Sequence, residues 1–448
     1  MADYTREEIE AQLTEETRPS FANANLSELD LSSLVFSGID LSGARLTGAN
    51  LENANFTEAH LENAELGSAR LSGTNFTSAN LTGVDFSKAQ LEGTQFANAD
   101  ISKANLSGAN LGEANLTNTK LAAANLSHAS LSRADLTKAK LAGAKLFEAD
   151  LSRANCKNTD LSRTDLTDAK LNSGGFYETN LQAANLTRAE IKGAKLFGVD
   201  LSDANLSRAD LTGADLTEAK MMRSDLDRAN LNGAILRRSD LTGANLTEAN
   251  LNIADLNGAI LINVRLDGAN LGRVKLNNAK LADARLGKAL LGKAKLVGSD
   301  LTGADLSGAD LTGADLTDAK LSGSDLSRAN ISEAIFERAD MKGCFLLGAD
   351  TRKTNLTLAN LEGADLSGAK LTGALFNQTN LNKANLQRTD LENADMTKAD
   401  LRNSNLAGAK LAYTVFKGTN LTNANLDGSD LAHADLSGAV GYTQISKQ

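Results

Sequence analysis

The sequence predicts an all-β solenoid, a chain wound into a four-sided coil of parallel rungs. Three observations predict it. From Leu26 to Leu436 every fifth residue falls in one unbroken register, which carries Leu with Phe, Ile or Met as substitutes and departs from large apolar residues only at Cys156 and Thr351. The residue two places before is small, usually Ala, and the residue one place before is mostly Asp or Asn. Of nine phenylalanines in this register, eight (Phe36, Phe56, Phe76, Phe96, Phe176, Phe336, Phe376 and Phe416) are separated by multiples of twenty, with Phe86 the exception.

A helix cannot host this period. Five residues at about 100° each carry successive leucines about 140° round the axis, so no apolar stripe forms. A straight strand fails as well, because an odd step alternates the leucines between its faces. The leucines share one interior only if the chain turns once every five residues. The twenty-residue phenylalanine spacing then gives four sides to each coil. The register amounts to about 21 coils, a rod of about 100 Å at the ~4.8 Å spacing of neighbouring strands. Gly recurs two places after the Leu, as at Gly43, Gly48, Gly303 and Gly313, where a tight turn uses positive φ. Asn and Asp before each Leu suit the corner and can ladder from coil to coil. The single Pro, Pro19, precedes the repeat, inside which it would remove a rung donor.

The ends differ from the body. Met1–Arg18 lacks the five-residue period, and Thr5-Arg6-Glu7-Glu8 is a capping-box pattern with Ile9 and Leu13 spaced i, i+4. A short helix from Thr5 to Glu16 is expected to dock on the first coil and cover its open edge; the alternative is a frayed acidic tail. The expected boundaries are a helical cap over 1–20, one coil domain over 21–440 and a tail over 441–448. Ser437–Gln448 offers only Val440, Tyr442 and Ile445 as large apolar residues, so this end is the expected place for a second copy to pair.

The 448 residues carry a formal charge of −10. Residues 1–100 hold 16 acids and 5 bases, whereas the rest of the chain is nearly balanced with 40 acids and 41 bases. Glu52, Glu58, Glu62 and Glu65 fall on four different sides and form an acidic belt, read first as a solubilising end. The first twenty residues have no apolar core of a leader, and no apolar run is long enough for a membrane span. A cytoplasmic protein without membrane contact is expected. Cys156 and Cys344 lie in inward slots nine coils apart and cannot bridge within one chain.

Catalytic patterns do not assemble. His60, His128 and His433 are far apart in the coil count, so no triad or metal cluster is expected. Gly287–Ala294 nearly spells a phosphate-binding loop, but Ala294 stands where Ser or Thr belongs and Leu291 is a register position. Stacked acids such as Asp305 and Asp325 have no pocket to work in. No enzyme, cofactor or metal is expected.

One stretch resists a purely structural reading. Arg265, Arg273, Lys275, Lys280, Arg285, Lys288, Lys293 and Lys295 fall within about two coils, against Asp267 and Asp283, with Ile253, Ile260 and Ile262 nearby. Arg265 under Arg285, Arg273 under Lys293 and Lys275 under Lys295 stack like charges. These residues form a candidate protein-binding belt; the alternative is drift in variable slots. An acidic protein surface is the expected partner, and nucleic acid is disfavoured by the net charge.

The A-(D/N)-L-x-x unit, as in Ser307-Gly-Ala-Asp-Leu-Thr-Gly-Ala-Asp-Leu316, resembles the pentapeptide-repeat family over residues 21–440. The resemblance implies a right-handed quadrilateral parallel β-helix. Several family members mimic DNA, bind DNA gyrase or topoisomerase IV, protect it from fluoroquinolones and dimerise through their C-terminal ends. This chain is about twice as long as those members, has no loop inserted between coils, and lacks an acidic body beyond about residue 100. The leading expectation is therefore a non-enzymatic scaffold that binds proteins. The alternative is a DNA-mimicking modulator of a type II topoisomerase.

Overall fold

A computed structural model describes residues 2–14 and 18–441. The chain divides into two compact units, Met1–Asp225 and Leu226–Gln448. In each unit the backbone repeats one motif: a single bridged residue, the register residue, then a two-residue turn. Bridges are parallel and join residues twenty apart, as in Ser20↔Asp40 and Arg265↔Arg285. The phenylalanine spacing is thus the coil length. Each rung is one residue wide, so the solenoid is built without extended strands. The turn repeats before a strand can lengthen.

We call the four sides A to D after the register residues Leu41 (A), Leu46 (B), Leu51 (C) and Phe56 (D), and every twentieth residue onward. Register side chains and the small residues two places before them fill the interior; Leu41, Ala44, Leu46, Ala49 and Leu51 are all fully buried. The wall D rings stack, with Phe36–Phe56, Phe56–Phe76 and Phe76–Phe96 centroids 4.8, 5.0 and 5.3 Å apart. Phe86 reaches across from wall B and meets Phe76 edge-on at 5.8 Å. Threonines that replace the small residue hide their hydroxyls by donating to a carbonyl, of the previous coil for Thr74 Oγ1 to Leu51 O at 2.7 Å or three residues back for Thr164 Oγ1 to Leu161 O at 2.7 Å. Thr351, the polar departure in the register, donates to Lys370 O at 2.7 Å. These buried hydroxyls keep partners, which removes most of their burial penalty, whereas the buried Ser27 and Ser202 hydroxyls have none.

The corners follow one scheme. The Asn or Asp before the register residue accepts from the N–H two places on, as Asn55 Oδ1 does from Thr57 N at 3.0 Å and from Thr57 Oγ1 at 2.7 Å. Side-chain amides also ladder between coils, as in Asn270 Nδ2 to Asn250 Oδ1 at 3.1 Å. The second turn residue has positive φ throughout, 67° at Gly43 and 60° at Arg133. Glycine is favoured there but not required.

At the start, α1 spans Arg6–Leu13 with Thr5 as its N-cap and the capping box closed by Glu8. Ile9 is buried and Leu13 half-buried. Arg6 Nη1 and Nη2 donate to Asp30 O and Ser32 O at 2.9 and 3.1 Å. Asp3 and Asn25 exchange two bonds of 2.8 and 2.7 Å, and Tyr4 meets Phe21 edge-on at 5.6 Å. The helix is thus tied to the first coil. Glu15 and Glu16 of the expected helix, and Tyr442 and Ile445 of the expected tail, lie outside the described residues. Leu426, Leu431 and Leu436 are half-buried, whereas the register residues below them are closed.

Candidate protein-binding surface

The basic residues singled out in the sequence form a ring, not one patch. Ile260, Ile262 and Lys280 lie on wall A. Arg265, Arg285 and Lys288 lie on wall B and its far corner. Ile253, Arg273 and Lys293 occupy the corner between walls C and D, and Lys275 and Lys295 lie beside them on wall D. The bridges Arg265↔Arg285 and Lys275↔Lys295 place like charges in adjacent rungs, and Ile253 N, Arg273 N and Lys293 N donate in turn to Gly272 O, Gly292 O and Thr312 O. No single flat partner reaches all four sides, so the structure separates the ring into groups.

Counter-ions divide the groups further. Asp255 sits under Lys275 and accepts from Arg237 Nη2 at 2.7 Å, with Lys275 Nζ at 3.9 Å. It is 7 % exposed. Burial works against its charge, but Arg237, the Asn257 N–H and Lys275 outweigh that and hold its pKa below the usual carboxylate value. Lys295 Nζ lies 3.3 Å from Asp315. On wall B, Arg285 Nε is 3.4 Å from Asp267 Oδ2, an ion-pair distance without hydrogen-bond geometry. Arg265, Arg285 and Lys288 line a shallow depression together with Glu248, Asp267 and Asp305, so three acids share it with three bases. The sequence tally of Asp267 and Asp283 alone overstated the excess, because Asp255 and Asp315 come from neighbouring coils. Among the described residues, Arg265, Arg273, Lys280, Lys288 and Lys293 have no acid within 4 Å, and of these Arg273 and Lys293 share the C–D corner with exposed Ile253.

The apolar part also changes. Ile260 and Ile262 are half-buried, while Ile253 is 49 % exposed. Leu290, which the sequence reading passed over, is 51 % exposed on wall C. Its signal was legible: it stands in the Asn/Asp position before Leu291.

Other candidates stay apart. Gly287–Ala294 runs within the coil, with Leu291 fully buried. His60 and His128 lie 3.5 and 3.2 Å from Glu62 and Glu148, and His433 stacks on Tyr413 at 4.9 Å. Burial pushes both cysteine thiols well above their ordinary pKa. Among the described residues no three His, Cys, Asp or Glu side chains gather as a metal site, and no helix is long and apolar enough to cross a membrane. On the acidic end, Glu52 pairs with Arg70 at 2.7 Å and Glu65 with Arg45 at 3.6 Å.

The profile for pentapeptide repeats (8 copies) matches 20–57 and then, in overlapping segments, 114–438, and that for a pentapeptide repeat region matches 44–116. The chain belongs to the pentapeptide-repeat family. Among solved structures it is similar to HetL from the cyanobacterium Nostoc sp. strain PCC 7120, a pentapeptide repeat protein involved in heterocyst differentiation regulation. That match has 33 % identity, 46 % of this chain, 89 % of that chain and a TM-score of 0.34. It is also similar to full-length QnrB1, a plasmid-mediated fluoroquinolone resistance protein, with 21 % identity, 40 % and 90 % coverage and a TM-score of 0.18. Rfr23 from the cyanobacterium Cyanothece 51142 follows at 32 % identity, 26 % and 63 % coverage and a TM-score of 0.16. No curated protein sequence matches the chain.

Proposed function

We propose that this pentapeptide-repeat protein is a non-enzymatic scaffold whose outer walls bind other proteins. The reading comprises about 21 right-handed coils over 21–440, an N-terminal segment over 1–20 that caps the first coil, and a tail over 441–448. The observation that carries it is the exposed, acid-free pair Arg273 and Lys293 beside exposed Ile253 and Leu290, on a coil whose interior is filled by its own side chains. Apolar side chains flanked by cations suit a protein surface of complementary charge. The candidate belt from 253 to 295 enters this reading as its binding region, and an acidic protein is its partner. No cofactor, metal or catalytic residue is assigned. Half-buried Leu426, Leu431 and Leu436 support pairing of two copies at that end.

Affinity capture with the full chain from lysate of its own cells, read by mass spectrometry, tests the scaffold. A stoichiometric protein that is lost from a variant carrying R273S and K293S is the expected result. Capture that is indifferent to both substitutions removes the belt from the reading. The second reading, a DNA-mimicking modulator of gyrase or topoisomerase IV, is favoured by the 16 acids against 5 bases in residues 1–100. Inhibition in a supercoiling assay that maps to residues 25–100 would replace the scaffold reading with it.

A further inference from the structure

Three local rules of this fold are broken together at the C–D corner. The first concerns Ile253. Its φ is 54°, and it is the single β-branched side chain at positive φ among the described residues. Branching at Cβ makes that conformation strained, and Gly233 and Gly313 fill the same column one coil below it and three coils above.

The second concerns Leu290. On wall C, Asn250 Nδ2 donates to Asn230 Oδ1 and Asn270 Nδ2 to Asn250 Oδ1, both at 3.1 Å. Leu290 ends that ladder and exposes half of its side chain. It also removes an acceptor. Asn270 Oδ1 takes the Gly272 N–H at 3.2 Å and Asp310 Oδ1 takes the Thr312 N–H at 3.0 Å. Gly292 N–H, in the equivalent turn, has no intramolecular acceptor among the described residues.

The third concerns Gly272 and Gly292, stacked in one column. Neither has positive φ, so the backbone does not demand glycine there, although a Cβ on Gly272 would crowd the Asn252 side chain at 2.9 Å. A Cβ on Gly292 would meet nothing within 4 Å. The missing side chains leave a low shelf of backbone between Leu290 and the cations Arg273 and Lys293. Glycine without a conformational reason is expected where another backbone comes close.

We infer that this shelf docks an extended acidic segment of a partner protein that alternates carboxylates with apolar side chains. A carboxylate accepts the Gly292 N–H, replacing the lost Asn or Asp oxygen, and takes the charge of Arg273 and Lys293. An apolar side chain of the same segment covers Leu290 and Ile253. The inference deepens the scaffold reading and rests on it. Departures from local rules without a gain in the fold are expected at binding sites.

The test uses the full chain and a fluorescein-labelled peptide of Glu-Gly-Leu repeats, read by fluorescence anisotropy. Control peptides carry Lys in place of Glu or Ser in place of Leu, and vesicles of phosphatidylserine and phosphatidylcholine serve as a membrane control. L290N restores the turn acceptor and the ladder, and I253G relieves the backbone, so both variants fold at least as well as the parent. Each is expected to raise the melting temperature and to weaken peptide binding about tenfold; R273S/K293S weakens it further and makes it insensitive to salt. Unchanged affinity in L290N and I253G overturns the inference, as does equal binding of the Ser-containing peptide or tighter binding of the vesicles. If lysate capture still returns a partner while the repaired variants bind the peptide unchanged, the scaffold reading stands and the shelf falls.

Discussion

Phe56 lies flat on Phe36, with ring centroids 4.8 Å apart and planes 6° from parallel. Twenty residues separate them, and the distance is one rung of a parallel sheet. The pair therefore reports both the coil length and the inward direction of the register. Leu306 points the same way and is fully buried, while Ser307 beside it is half-buried on the outside. Leu306→Asp places an unpaired charge in the stack and should cost about 4 kcal/mol or more. Ser307→Asp should change stability by less than about 0.5 kcal/mol. Thermal melts of the two variants check the register.

The N-terminal segment gives the first coil the partners that each later coil receives from its neighbour. Removing residues 1–18 would free Asn25 N and O and uncover Phe21. An exposed rung edge recruits other chains. The truncated protein is expected to associate at micromolar concentration, as measured by analytical ultracentrifugation, with a lower melting temperature. A milder test is Thr5→Ala, which opens the capping box and should cost about 1 kcal/mol.

Arg237, just outside the proposed binding region, and Arg273 within it should respond oppositely. Arg237 supplies hydrogen bonds of 2.9 and 2.7 Å to nearly buried Asp255. Arg237→Ser leaves that carboxylate short of donors and should destabilise by about 1–3 kcal/mol. Arg273→Ser and Lys293→Ser remove stacked like charges without orphaning an acid, so they should be neutral or raise stability by a few tenths of a kcal/mol. Chemical denaturation of the three variants separates the structural charge from the free ones.

Acid should unfold the coil. Asp255, Asp300 and Asp315 all have pKa values below their ordinary 3.8, because side-chain hydrogen bonds from Arg237, Thr302 and Thr317, followed by turn N–H groups and nearby cations, outweigh the cost of burial. A carboxyl with a lower pKa folded than unfolded binds fewer protons when folded, so its stabilising contribution is complete above 3.8 and is lost as pH falls through the folded value. The melting temperature should be flat from neutrality to about pH 5 and drop below about pH 4. Asp210 follows the same direction, with Thr212 and Lys192 outweighing its burial.

Much of the fold was legible because the signal repeats. The odd period excluded helix and flat strand, the phenylalanines counted the sides, and Thr5 to Glu8 marked the capping box. The proposed binding region was less legible. Charge is carried by residues twenty apart, so Asp255 and Asp315 lie outside the window in which the bases were counted, yet they touch Lys275 and Lys295. Exposure was equally hidden: Ile260 and Ile262 look as outward as Ile253 in the sequence but are half-buried. Leu290 looked like one more Leu. Its meaning depends on the acceptor it withholds from Gly292.

The proposed function places a binding surface at residues 253–295. Lysine acetylation footprinting of the full chain, in buffer and in lysate of its own cells, tests that most directly. Lysate is expected to protect Lys275, Lys293 and Lys295 while Lys370 and Lys410, further along the same unit, stay reactive. Uniform reactivity at all five lysines, or protection confined to Lys88 and Lys103 near the acidic end, would contradict it.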